Sequence, residues 1–143
     1  MKILLLSLFL FVGITVIAQT SFEKAMTEKV AQVEQQKTAD EFTALANDFK
    51  RIGDKEKTQW LPYYYAAFST IQKGRLAMRD GKMAELDAIA TEAQKSLDLA
   101  TNLNKDNAEN FILQKMIHSL KMMVDPQSRF MSEGMLAKEA LEK

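Results

Sequence analysis

Two side chains that bind soft metals lie one helical turn apart near the end of the chain. His118 is the single histidine, and Met122 follows it four residues later, so both side chains would share one face of a helix. Imidazole and thioether together suit Cu(I), and the same pair can ligate haem iron. Two ligands are too few to define a site, and methionine is a common filler of helical cores. We therefore predict no bound metal and no cofactor, and keep His118 with Met122 as the alternative.

Other catalytic chemistry finds no support in the sequence. Cysteine is absent, so a thiol nucleophile cannot form, and one histidine cannot supply a two-histidine zinc motif. Gly81-Lys82 lacks the upstream glycine of a phosphate-binding loop. The carboxylates are scattered over inferred polar faces, whereas acid–base catalysis uses carboxylates paired in an apolar pocket. We predict that the protein is not an enzyme.

The densest aromatic cluster comprises Trp60, Tyr63, Tyr64, Tyr65 and Phe68. Three consecutive helical residues span about 200° of arc, so the three tyrosines cannot all be buried on one side. We expect Tyr64, Tyr65 and Phe68 to face the core and Tyr63 to lie on the rim of a groove. The alternative, which the general burial of aromatic side chains favours, is that all three tyrosines seal a junction between helices.

A small basic patch follows this cluster. Lys73, Arg75 and Arg79 lie near the end of the same predicted helix. They could contact an acidic partner, or they could complement the negative end of the helix dipole, which we consider the simpler interpretation.

Apolar residues recur at helical spacing along most of the chain, and no segment alternates with the period of a strand. Thr38 and Glu41 form a capping box, Gly53 is placed to end the helix that follows, and Asp125-Pro126 marks another boundary. The connections are short, which predicts antiparallel helical hairpins. The predicted helices cover approximately residues 21–36, 38–53, 60–78, 82–103, 107–123 and 127–143.

Three segments resemble tetratricopeptide-like proteins. Ala93-x3-Leu97-x2-Ala100, with the exit Asn104 to Glu109, resembles the second helix of a tetratricopeptide repeat. Trp60-x-Pro62-Tyr63-Tyr64 and Val124-Asp125-Pro126-x-Ser128-Arg129 resemble segments of short exported bacterial proteins of this kind. Lys105 stands where the exit turn usually has proline, and the partial echo Ala137-x3-Leu141 does not fall at the regular repeat period.

The resemblance implies an all-α, right-handed array of stacked hairpins that binds a protein or peptide partner. The binding groove would be lined by helices three and five, with Trp60, Tyr63, Arg75 and Phe111 as the contacts. The alternative function is a small-molecule, haem or copper carrier built as a closed helical bundle.

The first 18 residues have the pattern of a secretory signal peptide. Met1-Lys2 is positive, Ile3 to Ile17 is an almost unbroken apolar run, and Ala18 precedes a polar stretch. The run is shorter than the roughly 20 residues that span a bilayer. We predict cleavage after residue 18, a single α-helical domain over residues 19–143, and a periplasmic or secreted location without a membrane span.

The remaining composition limits the partners and the sources of stability. The chain has 19 basic and 19 acidic residues, intermixed without a basic stripe, which argues against nucleic-acid binding. Without cysteines, stability must come from helix packing rather than disulfides. The pattern of the last helix continues to Lys143 without a stop signal, and we expect the sequence to be part of a longer protein.

Overall fold

The computed structural model describes residues 21–142, and the predicted signal peptide at residues 1–18 lies outside this range. The prediction of an all-α fold with six helices is confirmed, and residues 21–142 contain no strand. Two short 3-10 turns, Val33–Gln35 and Met83–Glu85, follow α1 and precede α4. The helices are α1 (residues 21–30), α2 (Ala39–Glu56), α3 (Leu61–Arg79), α4 (Leu86–Leu103), α5 (Ala108–Val124) and α6 (Pro126–Glu139).

The capping box predicted at the start of α2 is present. The Thr38 hydroxyl accepts a hydrogen bond from the Glu41 amide at 3.2 Å, and the Glu41 carboxylate accepts one from the Thr38 amide at 2.9 Å. Backbone hydrogen bonds from Lys37 and then Thr38 hold the pKa of Glu41 below its usual range. Two amides that the helix itself cannot satisfy are therefore paired by side chains.

The prediction that Gly53 ends this helix is wrong. Helix α2 continues to Glu56, and Lys57 takes the left-handed conformation at φ 58°, with its amide donating to the Gly53 carbonyl. Gly53 is instead required by packing, because a Cβ atom there would lie 2.8 Å from the ring of Tyr63. The glycine lets α2 and α3 approach each other closely.

Two other predicted boundaries also shift. The first helix is helical only over residues 21–30 and then tightens into a 3-10 turn, whereas the sequence predicts helix to about residue 36. Helix α4 begins at Leu86, after a 3-10 turn, instead of near residue 82. The residues that follow α1 are consequently free to line a groove.

Consecutive helices pack as antiparallel pairs, and α3 is the hub that contacts α2, α4 and α5. Tyr64 of α3 bonds to Glu109 near the start of α5, while Gly74 faces Leu120 near its end. Both helices therefore run in the same direction. Gly74 permits the contact, since a Cβ atom there would lie 2.8 Å from Leu120 Cδ1.

The buried core consists of two clusters that share α3. The larger one combines α3, α4 and α5 around Ile71, Leu97 and Ile117. The smaller one joins α1, α2 and α3 around Met26 and Phe49. Different faces of α3 enter the two clusters, and the half-buried stripe between them faces a groove.

Helix α6 is attached mainly by polar contacts. The Arg129 guanidinium forms two hydrogen bonds to the Asp87 carboxylate, at 2.6 and 2.9 Å, and one to the Lys121 carbonyl. The apolar residues Phe130, Met131 and Met135 are all more than 60% exposed. No helix within residues 21–142 has both the length and the apolar character needed to cross a bilayer.

Candidate functional site

A groove of about 760 Å³ lies between α3 and the segment that follows α1. Its polar lining includes Glu34, Gln36 and Gln72. The aliphatic lining comes from α1 and the segment after it, whereas most of the aromatic lining comes from α3. The apolar lining comprises Val30, Ala31, Val33, Phe42, Tyr64, Tyr65 and Phe68.

The aromatic wall is held in place by ring–ring contacts. The rings of Tyr64 and Phe68 are nearly parallel, with centroids 6.4 Å apart and an interplanar angle of 4°. Tyr65 stacks at 5.2 Å on Phe49, which is fully buried in the smaller core cluster. Because aromatic pairs of this kind stabilise each other beyond simple burial, the wall is preorganised.

The Tyr64 hydroxyl is tied to α5. It donates a hydrogen bond to Glu109 Oε2 at 3.2 Å. Burial, followed by the negative charge of Glu109, raises the pKa of Tyr64 to about 12. Tyr64 is therefore a neutral phenol at physiological pH and a poor source of a phenolate ligand.

The groove continues along α3 into a second cavity of about 590 Å³. Gln36, Phe42 and Gln72 line both cavities. Beyond them the lining becomes rich in methionine and arginine, with Arg75 and Arg79 contributing cations. A smaller cavity of about 160 Å³ adjoins this end and is lined in part by Arg75, Lys115 and Met116.

The structure corrects the expected roles of the three tyrosines. Tyr63 is buried at 6% exposure, and its hydroxyl donates to Asp54 at 3.0 Å. The prediction that it lies on a rim is wrong, because the missing side chain of Gly53 leaves room for its ring. Tyr64 and Tyr65, expected to face the core, are half-buried: each packs against a core cluster and also lines the groove.

The other predicted contacts are spread over the molecule. Trp60 packs edge-on against Tyr64, with ring centroids 5.7 Å apart. Arg75 lies at the cationic end of the groove. Phe111 lines a separate cavity of about 270 Å³ formed by α4, α5 and α6. The four residues predicted to form one binding surface therefore do not meet at a single place.

Both ring nitrogens of His118 face other side chains. His118 Nδ1 lies 2.7 Å from Glu133 Oε2, and Nε2 lies 3.0 Å from the side-chain nitrogen of Gln114. The Met122 sulfur lies beside Gly134. Residues 21–142 contain no group of three or more histidine or acidic side chains arranged to hold a metal ion.

Sequence reasoning missed the groove residues Tyr65, Phe68 and Gln72. Tyr64, Phe68 and Gln72 follow one another at four-residue spacing, so they form a single stripe on α3. That stripe was visible in the sequence. The sequence places Tyr64 and Phe68 in the core, because it does not reveal the early end of α1, which opens the groove.

The chain resembles a known haem-carrying protein. Its structure superimposes with a TM-score of 0.73 on the HusA haemophore from Porphyromonas gingivalis, at 30% sequence identity over 85% of this chain. The chain spans 57% of the length of that protein. No protein-family model and no curated protein matches the sequence. That protein is a haemophore, whereas the resemblance noted in the sequence implies a peptide-binding scaffold.

Proposed function

We propose that this protein binds haem or a related porphyrin in the groove between α3 and the segment following α1. The observation that carries the proposal is the 30% identity and common fold with a haemophore, together with a groove lined by aromatic side chains on α3. A porphyrin is a flat, largely apolar disc, and the groove offers complementary faces. Binding pockets for such ligands are typically apolar with a few polar groups.

Apolar contact would supply most of the affinity. The ring would pack on Tyr65 and Phe68, with Val30 and Val33 covering its other face. Because Tyr65 rests on buried Phe49, the aromatic wall needs little ordering when the ligand arrives, and less binding energy is lost to entropy.

The proposed site does not depend on ligation of iron by histidine. His118 lines the separate cavity with Phe111, and its two ring nitrogens face Gln114 and Glu133. Tyr64 keeps its proton because of its raised pKa. We therefore expect the metal-free porphyrin to bind nearly as well as haem.

The other features of the protein follow the same proposal. We infer a tetratricopeptide-like array, supported by the parallel course of α3 and α5 and by the pairing of consecutive helices. We also infer export after cleavage of residues 1–18 and a role as a non-enzymatic carrier. These inferences rest on the sequence pattern and on the resemblance to the haemophore.

The test is a spectroscopic titration of the purified protein with haem and with metal-free protoporphyrin IX. Replacing Tyr65 and Phe68 together with leucine keeps apolar bulk but removes the flat wall, and we expect binding of both ligands to weaken about tenfold. Phe111→Leu, in the other cavity, is the matched control and leaves binding unchanged. Circular dichroism verifies that all variants remain folded.

Two results would count against the site. If the double variant binds both porphyrins like the wild type, the ligand does not lie on this wall. If His118→Asn or Phe111→Leu alone abolishes haem binding, the cavity between α5 and α6 is the haem site. If the wild-type protein binds neither porphyrin, the proposal fails and the scaffold that binds a protein or peptide becomes the better hypothesis.

A further inference from the structure

The charges along the groove are arranged by sign. The aromatic end carries Glu34 in its lining and Glu109 on the Tyr64 hydroxyl. The two adjoining cavities at the other end are lined by Arg75, Arg79 and Lys115. Among the described residues, no carboxylate lines those two cavities. A ligand in the groove would therefore meet negative charge at one end and positive charge at the other.

Arg75 is the cation best placed to receive an anionic group. It lines both the cavity of about 590 Å³ and the cavity of about 160 Å³. Its guanidinium lies 3.5 Å from the Gln72 side-chain oxygen and forms no ion pair within residues 21–142. Arg79, in contrast, is paired with Asp80 at 3.0 Å. An unpaired guanidinium beside an apolar groove retains its capacity for a carboxylate.

The spacing along α3 suits a ligand with two chemically different edges. Phe68, Gln72 and Arg75 lie on one stripe of the helix. The helical rise places Arg75 roughly 10 Å beyond Phe68 along the axis. This separation is comparable with the distance from the centre of a porphyrin ring to its peripheral carboxylates.

We infer that the groove selects a planar ligand bearing carboxylates at one edge, with its ring against Tyr65 and Phe68 and its carboxylates at Arg75. This inference rests on the proposed function and adds an orientation and a preference to it. Glu34 would repel the carboxylates from the aromatic end, and Arg75 would attract them at the other. A neutral ring of the same shape would lose the charge contact and keep the apolar one.

The experiment compares protoporphyrin IX with its dimethyl ester, which has the same ring without ionised carboxylates. Both are titrated into the full protein in one detergent-containing buffer. We expect Arg75→Gln to weaken binding of the free acid about fivefold, the size expected for a solvent-accessible ion pair, and to leave the ester unchanged. Arg51→Gln, which removes an exposed arginine of α2 paired with Asp48, is the matched control and changes neither.

The possible outcomes separate this inference from the proposed function. If Arg75→Gln weakens both ligands equally, or neither, the carboxylates do not lie at Arg75. If, in that case, the wall variant Tyr65→Leu with Phe68→Leu still weakens binding of both ligands, the groove remains the porphyrin site and only the proposed orientation is wrong. If wild-type protein binds neither compound, the inference and the proposed function both fail.

Discussion

Tyr64 shows how much the environment of a single side chain depends on the fold. Its neighbours Tyr63 and Tyr65 have the same chemistry, yet one is buried against Gly53 and the other stacks on Phe49. Tyr64 is half-buried, and its hydroxyl donates to a carboxylate of α5. A helical wheel gives the angles between the three side chains but not which angle faces the groove.

Tyr64 is expected to ionise well above the ordinary pKa of tyrosine. Its folded-state pKa of about 12 lies above the ordinary value of 10.0. The contribution of protonated Tyr64 to the free energy of unfolding is therefore complete below about pH 10 and is lost as the pH rises towards 12. An alkaline titration followed by phenolate absorbance should show a step near pH 12 that Tyr64→Phe removes. Glu109→Gln should lower the pKa of Tyr64, without restoring the ordinary value because burial is the larger cause. A late step that persists in Tyr64→Phe would contradict the assignment.

At the scale of the element, the sequence predicts the number of helices correctly, but several of their first or last residues differ in the structure. The Thr38 capping box and the Asp125-Pro126 boundary were found because side chains close to the backbone determine them. The prediction that Gly53 ends α2 is wrong because this glycine is needed for packing: it leaves room for the ring of Tyr63 from α3. The local sequence pattern does not specify contacts between helices. The sequence therefore does not predict the groove, which depends on such contacts.

Helix α6 should be the least stable element of the described chain. Its polar attachment includes the partly exposed pair of Arg129 with Asp87, which solvent weakens, and the contact of Glu133 with His118. We expect Arg129→Gln to speed amide hydrogen exchange in α6 without affecting α2 to α4. Lys73→Gln, which breaks an exposed ion pair between α3 and α4, is the control and leaves α6 unchanged.

Acid should loosen the same attachment. The hydrogen bonds from Arg129 hold the pKa of Asp87 below its usual range. The pair therefore stabilises the fold above the ordinary aspartate pKa of about 4 and loses this contribution as the pH falls below that value. If exchange in α6 of Arg129→Gln equals that of the wild type at neutral pH, the ion pair does not hold the helix.

The whole molecule depends on α3, which joins the two core clusters and lines the groove. The all-α class and the number of helices were predictable, because they follow from the apolar periodicity of each segment. The division of the core was not, since it depends on how closely α3 approaches α5 at Gly74 and α2 at Gly53, and neither was the groove, which the early end of α1 opens.

Gly74→Ala tests this dependence. A methyl group would lie 2.8 Å from Leu120 Cδ1 and 3.3 Å from Ile89 Cγ2, in the larger core cluster. We expect a loss of about 1–3 kcal/mol in the free energy of unfolding from overpacking, larger than the gain in helix propensity of about 1 kcal/mol. Denaturant unfolding measures the difference.

Gly134→Ala in α6 is the control for this substitution. The nearest atom to a Cβ there is the Met122 sulfur at 3.5 Å, an ordinary contact, so the variant should be neutral or slightly more stable. Equal stability changes in the two variants would show that α3 and α5 are not packed as tightly as described.

The alternation of stripes on α3 has a consequence for how this protein could diversify. Ala67, Ile71 and Gly74 hold the helices together, while Gln72 and Arg75 line the cavities on the same few turns. Phe68 belongs to both sets, because it lines the groove and also packs against the larger core cluster. Substitutions of Gln72 and Arg75 should therefore change which flat acids are bound while leaving the scaffold intact.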